Sequence, residues 1–296
     1  SDVRKSIQYS NQSFELISEI KDPVLKIRVY NWRAAVLRFK NNPKQAIVFA
    51  EKSLEIAKKI GNKDLESQSL AQIGRAYDGQ NQFKKGLKIL KNALELSREA
   101  KKRLLEGKIL IYIGTNHNSQ SEFSQARSYF EKAAAIFKEL QDRKWEAQAF
   151  SMIGSVHNAV SNYSMALEYM LKALKYYEKS SNRRTYGSLL NDIGILYHNL
   201  GNTKKSLELY LQAKKIAEAE DDQNLVNVLL NNLGTIYQEM GDYQKSLQYL
   251  NEALQNGRKR KNKLGVAIDL YNIGSVYMDM NRLNESETHL RESLQI

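Results

Sequence analysis

The sequence predicts an all-α array of repeated helical hairpins, on three observations. A glycine returns every forty residues, at Gly74, Gly114, Gly154, Gly194, Gly234 and Gly274, each inside a stretch of helical apolar period. A helix-interior glycine costs about 1 kcal/mol relative to alanine, so one kept at the same point of every unit marks a backbone that must be approached closely. Other columns share that register. A ring follows three residues later at Tyr77, His117, His157, Tyr197, Tyr237 and Tyr277, and small residues stand at Gly86, Ala126, Ala166, Ser206, Ser246 and Ser286 and, seven further on, at Ala93, Ala133, Ala173, Ala213, Ala253 and Ser293. Lastly, no alternating pattern of the β type competes with the helical one. Self-similarity at a fixed period of this length is the signature of a repeat architecture.

In chain order, residues 1–22 form a leading half-repeat, a second helix only, because Ser6, Ser10 and Ser13 align with Ala46, Ala50 and Ser53. Seven hairpins follow over about 23–62, 63–102, 103–142, 143–182, 183–222, 223–262 and 263–296, read as one continuous domain. Their joints are the polar segments around Asp22, Asn62, Lys102, Asp142, Asn182, Asp222 and Asn262. The first hairpin is atypical, with Ala34 in the glycine column and Leu37 in the aromatic one, as terminal repeats often are. Phe83, Leu87, Leu90 and Leu94 make one stripe of the second helix in the second hairpin; Leu189, Ile193, Leu196, Tyr197 and Leu200 do so for the first helix of the fifth. Between the halves, Asn81, Ser121, Ser161, Gly201, Gly241 and Asn281 suit a helix-ending left-handed conformation, and Asn162, Asn202 and Asp242 suit N-caps. The last hairpin stops inside its second helix with Leu290, Ser293 and Leu294 in phase, so the chain is expected to be a piece of a longer protein.

These columns resemble the tetratricopeptide repeat in its variety with a forty-residue period. The resemblance covers essentially the whole chain, although the proline that usually closes each repeat and the tryptophan that often opens it are missing. It implies a right-handed superhelical solenoid of antiparallel helix pairs, with the first helices lining a concave wall. It also implies protein or peptide binding and no cofactor.

Composition narrows the function classes. The 296 residues carry a formal charge of +12, 42% hydrophobic residues and no cysteine. Disulfides and thiolate metal sites are therefore excluded, while the compartment stays open. No apolar run approaches the roughly 18 residues that span a bilayer, and no membrane contact by this segment is expected. The densest basic run, Arg258, Lys259, Arg260, Lys261 and Lys263, reads as a solvated helix end whose cations complement the helix dipole; a phosphate or acidic-partner contact is the sharper alternative. His117 and His157 stand in the ring column as packed substitutes. No nucleophile triad, phosphate loop or metal-binding helix can be traced, so no catalytic residue and no metal ligand is assigned.

Function is then expected on the wall of first helices. By register it carries Arg28, Asn31, Arg38, Arg75 and Lys108 first, Asn118, Asn158 and Asn191 in the middle, and His198, Asn231, Gln238 and Tyr271 towards the end, changing from cationic to amide-rich to more apolar. That gradient suits an extended peptide or partner helix, acidic by charge complementarity, with Asn191 and Asn231 clamping its backbone. The lysine and asparagine pairing of the carboxylate clamp in chaperone-binding relatives is absent at Asn31 and Ala35. In style the repeats are similar to those of polarity adaptors, of peptide-sensing regulators of Gram-positive bacteria, and of arrays placed ahead of kinase or DNA-binding modules in bacterial signalling proteins, the last group most of all. The expected role is a sensory or interaction domain of such a protein. Binding of nucleic acid or another polyanion, and self-assembly through the terminal repeats, are the alternatives. Gly194→Leu is expected to destabilise the fold and Asn231→Ala to spare it.

Overall fold

The computed structural model describes residues 8, 9, 12 and 14–296. Ser6, Ser10 and Ser13, on which the leading half-repeat rests, lie outside the described residues. Fourteen helices are found among the described residues, and no strand. The chain divides into two compact units, Ser1–Val160 and Ser161–Ile296.

The first unit holds α1 (Pro23–Phe39), α2 (Pro43–Lys59), α3 (Lys63–Asp78), α4 (Phe83–Glu99), α5 (Arg103–Ser119), α6 (Phe123–Glu139) and α7 (Arg143–Ala159). Helices α1 and α2, α3 and α4, and α5 and α6 pack as antiparallel pairs, and each second helix also packs on the next first helix. The second unit holds α8 (Tyr163–Tyr177), α9 (Arg183–Asn199), α10 (Thr203–Ala219), α11 (Gln223–Glu239), α12 (Tyr243–Lys259), α13 (Lys263–Asp279) and α14 (Leu283–Leu294). Here α8 packs on α9, and α9 with α10, α11 with α12 and α13 with α14 are the antiparallel pairs.

The turns end each helix by the expected chemistry. Asn41, Asn81, Ser121, Ser161 and Asn281 take φ between 56° and 59°, and Gly201 and Gly241 take 77° and 76°. After α1, Asn41 N–H donates to Arg38 O and Asn42 N–H to Leu37 O, and the same double closure recurs at later turns. The next helix then starts on a side-chain cap: Asn162, Asn202 and Asp242 accept from Met165, Lys205 and Lys245 N–H at 3.3, 3.1 and 3.1 Å. Ion pairs between Lys63 and Glu99 and between Arg103 and Glu139 tie the two open ends of a hairpin, each exposed and therefore weak.

The small columns bring backbones together. Oγ of Ser67 donates to Ala93 O at 2.7 Å, Ser53 to Ile27 O at 3.2 Å, Ser293 to Ala267 O at 2.7 Å and Ser286 to Gly274 O at 2.8 Å, all across a hairpin. The glycine column has a further partner that the sequence reading passed over. A Cβ on Gly74, Gly114, Gly194, Gly234 or Gly274 would sit 2.5–2.8 Å from Leu90, Phe130, Tyr210, Leu250 or Leu290. Each glycine is thus a socket for a large side chain sixteen residues later, which fills the space the missing Cβ leaves. Where the column holds Ala34, the position sixteen residues on is Ala50, and both are buried. The ring column stacks within the hairpin: Tyr237 on Tyr249 at 5.5 Å and His117 on Tyr129 at 5.3 Å. His117 also meets Glu122 through Nδ1 at 2.5 Å, which accounts for it as a packed structural ring.

Candidate functional site

In the first unit the first helices α1, α3 and α5 bring the cationic residues of the wall together. Arg28 is exposed, and Asn31, Arg38, Arg75 and Lys108 are half-buried. Arg75 lays its guanidinium over the Tyr112 ring, Cζ 4.0 Å from the centroid, and Lys108 Nζ lies 4.9 Å above Trp145. Burial, and then the neighbouring charge of Arg75, push the Arg38 guanidinium down to about 10. Burial also lowers Arg75 and Lys108. Asn31 donates to Ser69 Oγ at 3.2 Å, which leaves its Oδ1 without a partner. A cavity of about 450 Å³ opens here, lined by Asn31, Gln68, Gln72, Lys102, Lys108 and Tyr112 among others.

Beside the arginines, Asp78 accepts from Asn116 Nδ2 at 2.5 Å, and burial pushes its carboxyl up to about 6. Gly86 on α4 makes the room, since a Cβ there would lie 2.0 Å from Asp78 Oδ1. Asn118 and Asn158 are half-buried in the last turns of α5 and α7.

The second unit differs from expectation at its amides. Asn191 is buried; its Oδ1 accepts from Asn232 Nδ2 at 2.8 Å and its own amide donates to Asp192 at 3.3 Å. Asn231 donates to Asp269 Oδ1 at 2.6 Å and to Asn227 O at 3.1 Å, and accepts from Asn272 at 2.6 Å. Both amides are therefore engaged in ladders that join successive first helices, because a buried amide finds its partners wherever the packing supplies them. Asp269 is fully buried, holds only amide donors and is raised by burial; burial likewise pushes Asp192 up to about 6. His198 Nε2 meets Glu239 at 2.7 Å, and Gln238 donates to Ser275 at 3.0 Å and Asp279 at 2.6 Å.

Above this polar floor the wall is apolar and open. Tyr271 is 60% exposed, Val228 47%, Ile268 48% and Leu264 73%, and a cavity of about 370 Å³ lies among Asn227, Val228, Asn231, Leu264, Ile268 and Asp269. The reading from sequence missed Asn116, Asn227 and Asp269. A signal existed for the ladders: Asp192, Asn232 and Asn272 stand two residues before the glycine in consecutive repeats. The basic run is partly absorbed by structure, with Arg258 paired to Glu292 and Arg260 donating to Gln223 O and Asn224.

Comparison with known proteins agrees with this architecture. The family model of the tetratricopeptide repeat matches residues 145–219 and 225–296, and a second model of the same repeat matches 67–99, together more than half of the chain. No curated protein matches the sequence. Among solved structures, the apo quorum sensor NprR from B. thuringiensis is 16% identical, with a TM-score of 0.75 over 99% of this chain and 82% of that one. A signal transduction ATPase with a tetratricopeptide repeat sensor, from Pyrococcus horikoshii, is 17% identical with a TM-score of 0.73; the match covers 99% of this chain and 46% of that one. The Rap conjugation gene regulator of plasmid pLS20, solved with the Phr* peptide, is 18% identical with a TM-score of 0.66 over 93% of this chain and 74% of that one. At such identities the likeness is one of fold. The forty-residue hairpin, the glycine sockets and the family matches converge, and the chain belongs to the tetratricopeptide repeat family.

Proposed function

We propose that this chain is a non-catalytic scaffold that binds a peptide or protein segment along the first-helix face, as the sensory or interaction region of a larger bacterial regulatory protein. The observation that carries this reading is the second unit's open cavity, where exposed Val228, Leu264 and Ile268 surround a floor of side-chain amides. Apolar walls take side chains and a few fixed polar groups set their orientation, which is the usual make-up of a recognition site. Two of the similar folds, the pLS20 Rap regulator and a Rap protein complexed with Competence and Sporulation Factor, were solved with such partners, which supports the same use here.

The test is affinity capture from a lysate of the source organism at low and high salt, comparing the wild-type chain with an Ile268→Asp, Tyr271→Ala variant on exposed positions. Proteins or peptides retained at high salt and lost with the variant are the expected result. Capture of nucleic acid alone, lost at high salt and indifferent to the variant, would replace the reading with polyanion binding. Concentration-dependent oligomers with an empty groove would make the chain a self-assembly module.

A further inference from the structure

The first unit holds an unusual arrangement of unmet bonding capacity. Arg38 and Arg75 both flank Tyr112, and neither forms an ion pair or side-chain hydrogen bond among the described residues. Arg38 Nε is buried and without a partner. The charge of Arg75 is felt at Arg38, and both are partly out of water, a cost that a protein lowers by bringing an anion to them. The nearest carboxylate, Asp78, is turned to Asn116 and packed against Gly86. Acceptors of the opposite need lie beside Tyr112, the ring under Arg75. Asn31 Oδ1 and Gln72 Oε1 are buried without donors, and both residues line the cavity that Tyr112 also walls.

We propose that this groove is a site for an acidic residue of an extended peptide, its side-chain carboxylate bridging Arg38 and Arg75 and its neighbouring main-chain N–H groups donating to Asn31 and Gln72. The chemistry selects this class of ligand. A guanidinium offers a planar fork of donors matched to a carboxylate, and an amide oxygen matches a peptide N–H. Tyr112 holds Arg75 in place by its ring, so little freedom is lost when the anion arrives. The inference rests on the peptide-binding reading above, and it specifies one side chain of the occupant.

The probes are pooled hexapeptides, acetylated and amidated at their ends, with one fixed position carrying Glu in one pool and Gln in the other, titrated by fluorescence anisotropy. The Glu pool is expected to bind about 10–100-fold more tightly to the wild type, the worth of hydrogen bonds to a charged group. Arg38→Gln and Arg75→Gln should abolish that preference. Lys88→Gln, which removes a charge from an exposed position on α4, should keep it. Circular dichroism confirms that each variant is folded. Equal binding of the two pools overturns the carboxylate site and leaves the peptide-binding reading standing. A preference that survives both arginine variants overturns the assignment to a side-chain carboxylate on these arginines. Binding of neither pool overturns the inference and the reading beneath it together.

Discussion

Adding one methyl group to Gly194 tests the socket that recurs at five of the glycines. A Cβ at Gly194 would lie 2.6 Å from Tyr210 Cε1 and 2.8 Å from Cδ1, about 1 Å inside ordinary carbon contact. The ring is only 2% exposed, so it has nowhere empty to go and must push its neighbours. Overpacking of this size costs about 1–3 kcal/mol, against which alanine recovers about 1 kcal/mol of helix propensity, leaving Gly194→Ala destabilised by up to about 2 kcal/mol. Tyr210→Ala alone should cost about 3–5 kcal/mol by leaving a cavity. In the double variant the methyl enters that cavity, reproducing the Ala34 and Ala50 pair of the first hairpin, so Gly194→Ala should become neutral or stabilising. Urea unfolding of the four proteins closes a double-mutant cycle, with a coupling of at least about 1 kcal/mol expected. An equal cost of Gly194→Ala with and without the Tyr210 ring would refute the socket.

Three further outcomes follow from particular contacts. Asp192→Asn should stabilise the second unit by about 1–3 kcal/mol at pH 7, since burial raises the carboxyl from 3.8 to about 6. Well below pH 3.8 the carboxyl is protonated in both states and nothing is lost; as pH rises from there towards 6 only the unfolded chain releases the proton, so stability falls through that window and stays lower above it. Thermal unfolding from pH 4 to 8 should therefore show the two proteins diverging as pH rises. Asn231→Ala should cost about 1–3 kcal/mol in chemical denaturation, contrary to the expectation from sequence, because it strips the 2.6 Å donor from buried Asp269 and the acceptor from Asn272. A melting temperature unchanged from wild type would show the ladder to be inert. At Gly201, φ is 77° and no atom lies within 4 Å of a Cβ, so Gly201→Ala should cost about 1–2 kcal/mol from backbone conformation alone, with Gly201→Asn milder in the same assay.

The hairpins were legible in the primary structure because helical period, turn chemistry and capping are local properties. Asn81, Ser121 and Gly201 could be placed at left-handed turns, and Asn162 and Asp242 at caps, since each acts within a few residues of itself. The wall positions were legible as a register: Asn31 and Lys108 line one cavity of the first unit, and Arg75 lies over Tyr112, which lines it too. Their partners were less so. Asn191 and Asn231 read as free amides, and packing engages them with residues about forty positions away.

Sequence alone was sufficient for the all-α class, the forty-residue unit, the close approach at each glycine and the absence of thiol chemistry. Folding in three dimensions chose which large side chain fills each glycine socket and which amides are consumed by the ladders. It also left Asp269 buried among amides and Arg38 Nε buried without a protein acceptor. The physical reason is the range of the forces involved. Propensity and capping are settled within a helical turn, whereas desolvation, steric fit and hydrogen-bond satisfaction depend on what the neighbouring repeat brings to the same point in space.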